Sequence, residues 1–241
     1  MTNRPYILYR SLWSALDLLF PPVCGGCGKV GSHWCMECQQ RVQILNGTVC
    51  EVCGLPQDTD GICNTCRAER PHFRALRAWT IFEDPVRKAL HKLKYYRNFS
   101  LGDALAAQIS DFAKGLNWHA DMLLPIPLGR QRMKERGYNQ SAMIAKPLAM
   151  ALNIEFAPQA LARRKETRSQ VGLSKQERHK NMLGAFHATG VSGKTILVLD
   201  DVSTTGSTLS SSAEALLSAG AKDVYALTVA RALPHHGLKH V

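Results

Sequence analysis

Residues Thr195–Thr208 constrain this chain more than any other stretch. Ile196–Leu199 is a continuous apolar run, Asp200 and Asp201 follow, and the residues to Thr208 form a short loop rich in Thr, Ser and Gly. Beyond it, Leu209, Ala213, Leu216 and Leu217 recur at helical spacing. The pattern reads as a buried parallel strand, a tight loop and a helix N-terminus, in which backbone N–H groups turn toward a phosphate. Two carboxylates just before such a cradle can accept hydrogen bonds from the vicinal hydroxyls of a ribose. An ordinary strand–turn–helix with a capping Asp or Ser shares parts of this pattern but not its whole order.

Charge narrows the class of partner. The chain of 241 residues carries a formal net charge of +11, and its first 70 residues hold six Lys/Arg against six acids. The excess therefore lies beyond residue 70, with 24 basic residues (30 less 6) against 13 acidic ones (19 less 6). It gathers in three clusters: Arg87, Lys88, Lys92, Lys94 and Arg97; Arg130, Arg132, Lys134 and Arg136; and Arg163–Lys180. Such a balance predicts an anionic partner, either a polyphosphate or a nucleic acid. The first cluster interleaves Tyr95, Tyr96 and Phe99, the mixture used to contact phosphates and stack bases of single-stranded DNA. The competing reading buries Tyr95 and Phe99 in a core and leaves the cations solvated.

All eight cysteines fall between positions 24 and 66 as four Cys-x-x-Cys pairs: Cys24/Cys27, Cys35/Cys38, Cys50/Cys53 and Cys63/Cys66. Two such knuckles complete a tetrahedral four-thiolate zinc site with no open position, so two structural zinc ions are expected. Sequential pairing needs loops of only seven and nine residues, though crossed pairing would also satisfy the spacing. No apolar run approaches the ~20 residues of a membrane span, so no membrane insertion is expected. Leu12–Phe20 is interrupted by Asp17 and reads as a short amphipathic helix instead of a signal peptide, which favours a cytoplasmic protein with reduced thiols.

Strands are expected at Ala75–Phe82, Asp121–Ile126, Thr195–Leu199 and Val224–Val229. Helices are expected after Asp84-Pro85, with Asp84 as N-cap, then at Gly102–Leu116, from Gln140 onward and at Ser207–Ala219. The helix from Gln140 should kink or break at Pro147. Alternation of strands and helices predicts an α/β domain over residues 71–241, a mainly parallel sheet flanked by helices. An N-terminal helix and zinc-ribbon module with a core of its own occupies residues 1–70 in this reading. Gly193-Lys194-Thr195 mimics the end of a P-loop, but position 188 is Ala where Gly is needed, and a strand follows instead of a helix. His235, His236 and His240 read as a frayed tail.

The Asp200–Thr208 segment resembles the phosphoribosyl-pyrophosphate (PRPP) motif of type I phosphoribosyltransferases. Other segments occur with it in one order: the cysteine pairs, Leu93-Lys94-Tyr95, Pro125-Ile126-Pro127, Arg136–Ser141, Thr167–Gln170, Arg178, Asn181 and Ala185-Phe186. Together they resemble the ComF family of competence proteins, phosphoribosyltransferase-like chains with an N-terminal double zinc ribbon. The resemblance implies that Asp200 and Asp201 hold the ribose hydroxyls of PRPP. It implies that Thr204, Thr205, Gly206, Ser207 and Thr208 wrap the 5′-phosphate, and that Arg130 or Arg136 assists pyrophosphate after Pro127. Residues 163–181 would match the mobile loop of the fold, and Mg²⁺ would bridge pyrophosphate and ribose oxygens. Two functions are compatible with it. One is a phosphoribosyltransferase, a glycosyltransferase acting in DNA uptake. The other is a non-catalytic PRPP or nucleotide sensor that binds single-stranded DNA and a competence helicase-like partner.

Overall fold

The computed structural model describes residues 21–45, 47–96, 98–164 and 184–233. Five strands form one parallel sheet in the order β1-β7-β6-β2-β3: β1 Ala75–Ile81, β2 Met122–Pro125, β3 Glu155–Phe156, β6 Thr195–Ser203 and β7 Asp223–Arg231. Strands β4 Leu161–Arg163 and β5 Phe186–Ala188 pair separately as an antiparallel ribbon, which the sequence pattern did not reveal. Ile196–Leu199 is wholly buried, as a central parallel strand covered on both faces must be. Strand β6 runs four residues past Leu199, so Asp200 and Asp201 lie within the strand and not in the loop after it.

Seven helices are described. The short α1 Met36–Gln40 and α2 Asn64–Ala68 belong to the cysteine-rich segment. They are followed by α3 Val86–Tyr95, α4 Ser100–Gly115, α5 Arg130–Arg136, α6 Gln140–Leu152 and α7 Ser207–Ser218. On one face of the sheet, Leu90 and Leu93 of α3, Leu105 and Ile109 of α4, and Ile144 and Leu148 of α6 pack on Leu197, Leu199 and Leu227. On the other, Leu209, Ala213 and Leu216 of α7 pack on Ile196, Val198 and Ala226.

Two helix expectations need correction. Asp84 does not cap α3: Pro85 is the N-cap, and the Asp84 carboxylate pairs with Arg87 at 2.9 Å and Lys88 at 3.1 Å. Of the kink or break expected at Pro147, the break does not occur: Pro147 sits buried inside one helix. A proline clashes with the carbonyl four residues back and leaves it without its N–H partner. Here that carbonyl, of Met143, faces Gly102 of α4, where an added Cβ would stand 2.7 Å from its oxygen. The close approach of the two helices encloses the irregularity.

The cysteine-rich segment does not have a separate core. Cys50, Val52, Cys53 and Cys66 pack in one cluster with Phe73, Leu76, Leu124 and Val198 of the sheet domain. Trp34 and Val42 pack against the cluster on the opposite face. Between them the chain runs along the outer edge of β1: Leu76 N donates to Val52 O at 2.7 Å and Ile81 N to Gln43 O at 3.0 Å, with an antiparallel bridge of Ile44 to Thr80. An edge strand with unpaired backbone groups needs such a cover, and the ribbon supplies it.

Candidate functional site

The cysteines close into two sequential tetrads, Cys24/Cys27/Cys35/Cys38 and Cys50/Cys53/Cys63/Cys66, with the four sulfurs of each within 4.8 Å of one another. Sequential pairing is thereby chosen over the crossed alternative. All eight are free thiols. The Sγ separations of 3.6 Å for Cys24–Cys38 and Cys27–Cys35 and 3.8 Å for Cys53–Cys63 match the edge of a tetrahedron with ~2.3 Å metal–sulfur bonds. The tetrads therefore fit two structural zinc sites.

Burial opposes ionisation of Cys24 and Cys50. N–H groups of Cys27, Cys35 and Gly26 outweigh it at Cys24, and those of Cys63, Cys53 and Val52 outweigh it at Cys50, so each thiol is lowered to about 6. Burial pushes Cys53 up to about 11 and raises Cys38 and Cys66 as well. Beside the second tetrad lie two arginines. Arg77 donates to the carbonyls of Leu76, Glu51 and Cys50, and Arg231, only 1% exposed, donates to Ser203 Oγ at 3.1 Å. Burial lowers the pKa of both, and the tetrad's sulfurs act against it. Nothing local in the sequence marked Arg231, because its role arises where the end of β7 meets the ribbon.

Toward the C-terminal edge of the sheet, β6 carries Asp200 and Asp201, ends at Ser203 and leads through Thr204 and Thr205 to Gly206, the N-cap of α7. Thr205 Oγ1 and Ser207 Oγ are 2.8 Å apart, and Thr205 is exposed at the loop tip. The loop thus joins a strand end to a helix N-terminus, where backbone N–H groups have no helical partner.

Two acids adjacent in sequence have unlike surroundings. Asp200 Oδ1 accepts from Ser141 Oγ at 3.0 Å and from Asp201 N at 2.9 Å. Burial first, and then the Asp201 charge, raise Asp200 well above the carboxylate range. Asp201 is 6% exposed; burial opposes its charge, but Lys94 at 3.6 Å and support from Asp200 and Gln140 lower its pKa. The pair therefore favours one proton on Asp200 and one negative charge on Asp201.

The segment Arg136–Ser141 reaches both acids, Asp200 through Ser141 and Asp201 through Gln140. Gly137 takes φ 82° and ends α5, which turns the chain directly into α6. Tyr138 OH donates to Leu93 O, and its ring meets Phe99 edge-on at 4.9 Å. Asn139 caps α6 by accepting from Ser141 N at 3.0 Å, and its amide donates to Ile126 O at 2.9 Å. Arg136 donates to Gln140 Oε1 and lies over the Tyr95 ring at 5.5 Å. One hexapeptide thus ties the loop after β2, the end of α3 and the acid pair together. Arg136, expected beside pyrophosphate, is engaged in this network, while Arg130 is exposed at the start of α5.

The cations of the first basic cluster are less free than expected. Arg87 and Lys88 share Asp84, Lys92 donates to Cys24 O at 3.1 Å, and Lys94 faces Asp201. The rings stay accessible: Tyr95 is 61%, Tyr96 71% and Phe99 40% exposed. Arg97, the helix expected at Leu12–Phe20, the loop expected from Lys165 through Arg178 to Asn181, and the tail histidines lie outside the described residues.

Fold and site together define a phosphoribosyltransferase-fold protein that carries a double zinc ribbon. The double zinc ribbon domain family matches residues 15–67, and the phosphoribosyl transferase domain family matches residues 138–240. The chain is similar to the DNA utilization protein YhgH of Escherichia coli O157:H7, 30% identical over 228 residues, which are 90% of this chain and 100% of that protein. It is also similar to the competence protein ComFC of Bacillus subtilis, 27% identical over 230 residues, 91% of this chain and 89% of the relative. It belongs to the ComF family, with YhgH and the competence protein F relatives. Among solved structures, the glutamine PRPP amidotransferase of B. subtilis overlaps 57% of this chain and 30% of its own, with 19% identity and a TM-score of 0.40. Among the described residues, no helix is long and apolar enough to cross a membrane.

Proposed function

We propose that the acid pair and the following loop bind PRPP, with Asp200 and Asp201 on the ribose hydroxyls and Thr204–Thr208 around the 5′-phosphate. The observation that carries this reading is that two carboxylates near the end of β6, braced by Ser141 and Gln140, are followed by a short loop into a helix N-terminus. Asp201 Oδ2 is buried, makes no hydrogen bond and faces Lys94 at 3.6 Å. Mg²⁺, when bound, would supply charge neutralisation between pyrophosphate and ribose oxygens. Arg130, exposed at the start of α5, is the candidate for the pyrophosphate side.

Catalysis would consist of displacement at ribose C1. The bond from C1 to the acceptor forms as the bond from C1 to pyrophosphate oxygen breaks, and the electron pair leaves with pyrophosphate. The protein would contribute positioning and charge stabilisation, with Asp201 near the developing positive charge of the ribose. Calorimetry with PRPP and Mg²⁺ tests the site: Asp200→Ala with Asp201→Ala should abolish binding, and unchanged affinity would refute the assignment. Pyrophosphate release in the presence of candidate acceptors then separates a transferase from a sensor.

A second reading is supported by the accessible Tyr95, Tyr96 and Phe99 beside basic residues, and by the names of the relatives, which concern DNA utilization and competence. In this reading the same protein, in the reducing cytoplasm, holds single-stranded DNA and a helicase-like partner during DNA uptake. Affinity for single-stranded DNA should then fall steeply between ~50 and ~200 mM salt. Salt-independent binding would remove it.

A further inference from the structure

Arg231, at the end of β7, is 1% exposed. Its Nη1 donates to Ser203 Oγ at 3.1 Å, and its Nε has no hydrogen-bond partner. Among the described residues no carboxylate forms an ion pair with it. A guanidinium stays protonated in a protein, and a buried charge requires a counter-charge. The second tetrad supplies it: burial works against the charge of Arg231, and Cys53, Cys66, Cys50 and Cys63 work for it. Four thiolates around one zinc ion carry two net negative charges. Arg231 and Arg77, which donates to Cys50 O, bring two positive ones. The first tetrad is surrounded differently, since Lys29 beside it is exposed and held by Glu37 at 2.6 Å.

The same arginine reaches the loop that follows the acid pair. Its acceptor Ser203 is the last residue of β6 and directly precedes Thr204 and Thr205. The Ser203 carbonyl accepts from Ala232 N at 2.9 Å, which joins the ends of β6 and β7 beside the guanidinium. Two further contacts run from the ribbon side to the start of α7. A Cβ on Gly206, the N-cap, would stand 3.6 Å from Leu76 and 3.7 Å from Phe73, both of which share a core with Cys50, Cys53 and Cys66. His72 N donates to Ser210 Oγ in the first turn of α7 at 3.1 Å. Ribbon, loop and helix start therefore rest on one another, and Arg231 brings the charge of the tetrad to bear on the strand end.

We propose that Arg231 couples the second tetrad to the loop Thr204–Thr208, so that metal in the tetrad and an anion on the loop each strengthen the binding of the other. The proposal rests on the reading of the loop as a phosphate site given above and adds its regulation by metal. Removing one partner of a buried charge pair leaves the other uncompensated. A guanidinium without its tetrad no longer holds Ser203 in place, and the loop loses its support. Coupling between two binding sites acts equally in both directions.

The test uses the zinc-loaded full chain and ribose 5-phosphate as the probe. Chelator competition followed by pulsed alkylation and mass spectrometry reads the zinc affinity of each tetrad separately. Saturating ribose 5-phosphate should raise the zinc affinity of the second tetrad at least about fivefold and leave the first unchanged. Arg77→Met and Arg231→Met should each weaken zinc at the second tetrad about tenfold, the scale for losing a group that supports metal ligands. Arg231→Lys, which keeps the charge, should restore most of that affinity. Calorimetry on zinc-loaded protein separates the two arginines. Arg77→Met should bind ribose 5-phosphate as the parent does, whereas Arg231→Met should weaken it at least about fivefold. If Arg231→Met does not fold, Ser203→Ala decides: zinc should stay bound at both tetrads, and the effect of the probe on it should vanish.

Zinc affinity indifferent to bound probe would overturn the proposal, as would equal probe affinity in Arg77→Met and Arg231→Met. Absence of probe binding in the parent would instead remove the phosphate reading of the loop, and hydrogen exchange then decides the coupling by itself. The amides of Ser210 and Ala232 donate to Gly206 O at 2.8 Å and to Ser203 O at 2.9 Å. They should lose protection in Arg231→Met, or in Ser203→Ala where the former does not fold, and keep it in Arg77→Met. Unchanged protection would overturn the proposal.

Discussion

Lys94 Nζ lies 3.6 Å from Asp201 Oδ2, an ion pair between the last turn of α3 and the end of β6. It places a cation of the chain itself beside the acid that would face ribose, and it requires that α3 be held against the sheet edge. Tyr138, bonded to Leu93 O one residue before the lysine, provides that hold.

Lys94→Met should therefore destabilise the protein at neutral pH by about 1–2 kcal/mol, discounted from a fully buried pair because the lysine keeps 27% of its side-chain surface exposed. The sign with pH follows from Asp201. Its folded pKa lies below the ordinary 3.8, so the pair stabilises above that value and the contribution fades as pH falls through the folded pKa. Urea midpoints of parent and variant should converge on acidification; a constant gap would show that Lys94 acts by packing alone.

Asp200→Asn should act in the opposite direction. The folded pKa of Asp200 is raised above its ordinary 3.8, so the unfolded chain loses that proton first as pH rises, and ionisation costs stability increasingly from there upward. Replacing the carboxyl by a neutral amide should raise stability at pH 7 by about 1 kcal/mol, within the usual range of a single stabilising substitution. Below about pH 4 the gain should vanish as the unfolded carboxyl also becomes protonated. Thermal melts across pH check both statements.

Gly102→Ala should cost about 2–3 kcal/mol, because the new methyl meets the Met143 carbonyl at 2.7 Å and pushes α4 from α6. Gly115→Ala, in the same helix with nothing within 4 Å, should be neutral or stabilise by about 0.5–1 kcal/mol. Chemical denaturation of the two variants gives the contrast. Equal effects would mean that the helix contact tolerates expansion.

Metal analysis of protein purified without added zinc should give two zinc ions per chain, and a metal-free, disulfide-bonded form would refute this. Cys63→Ser should destabilise more than the ribbon alone, by about 3 kcal/mol or more, since Cys50, Cys53 and Cys66 share a core with Leu76 and Val198. Hydrogen exchange provides the direct readout. The amides of Leu76 and Ile81, which donate to Val52 and Gln43 of the ribbon, should lose protection on chelation, whereas unchanged protection would restore the picture of independent cores.

Local patterns carried much of the architecture. Cys-x-x-Cys spacing, the apolar run Ile196–Leu199 and the helical periods of Leu209, Ala213 and Leu216 are properties of neighbouring residues, and each appears in the structure where the sequence places it. The order of motifs likewise marked Arg136–Ser141 as distinctive without disclosing its work. That work depends on residues far apart in the chain: Ser141 on Asp200, Asn139 on Ile126, Tyr138 on Leu93 and Lys94 on Asp201.

The helix through Pro147 stays in one piece, with its Met143 carbonyl against Gly102 of another helix, and the ribbon covers the open edge of β1. Sequence alone thus determined the strand–loop–helix, the cysteine tetrads and the α/β class, because hydrophobic period and ligand spacing act over a few residues. The opposite charge preferences of Asp200 and Asp201 and the place of Arg231 came only with tertiary structure. Burial and charge neighbours are set by packing between distant segments, which no local pattern encodes.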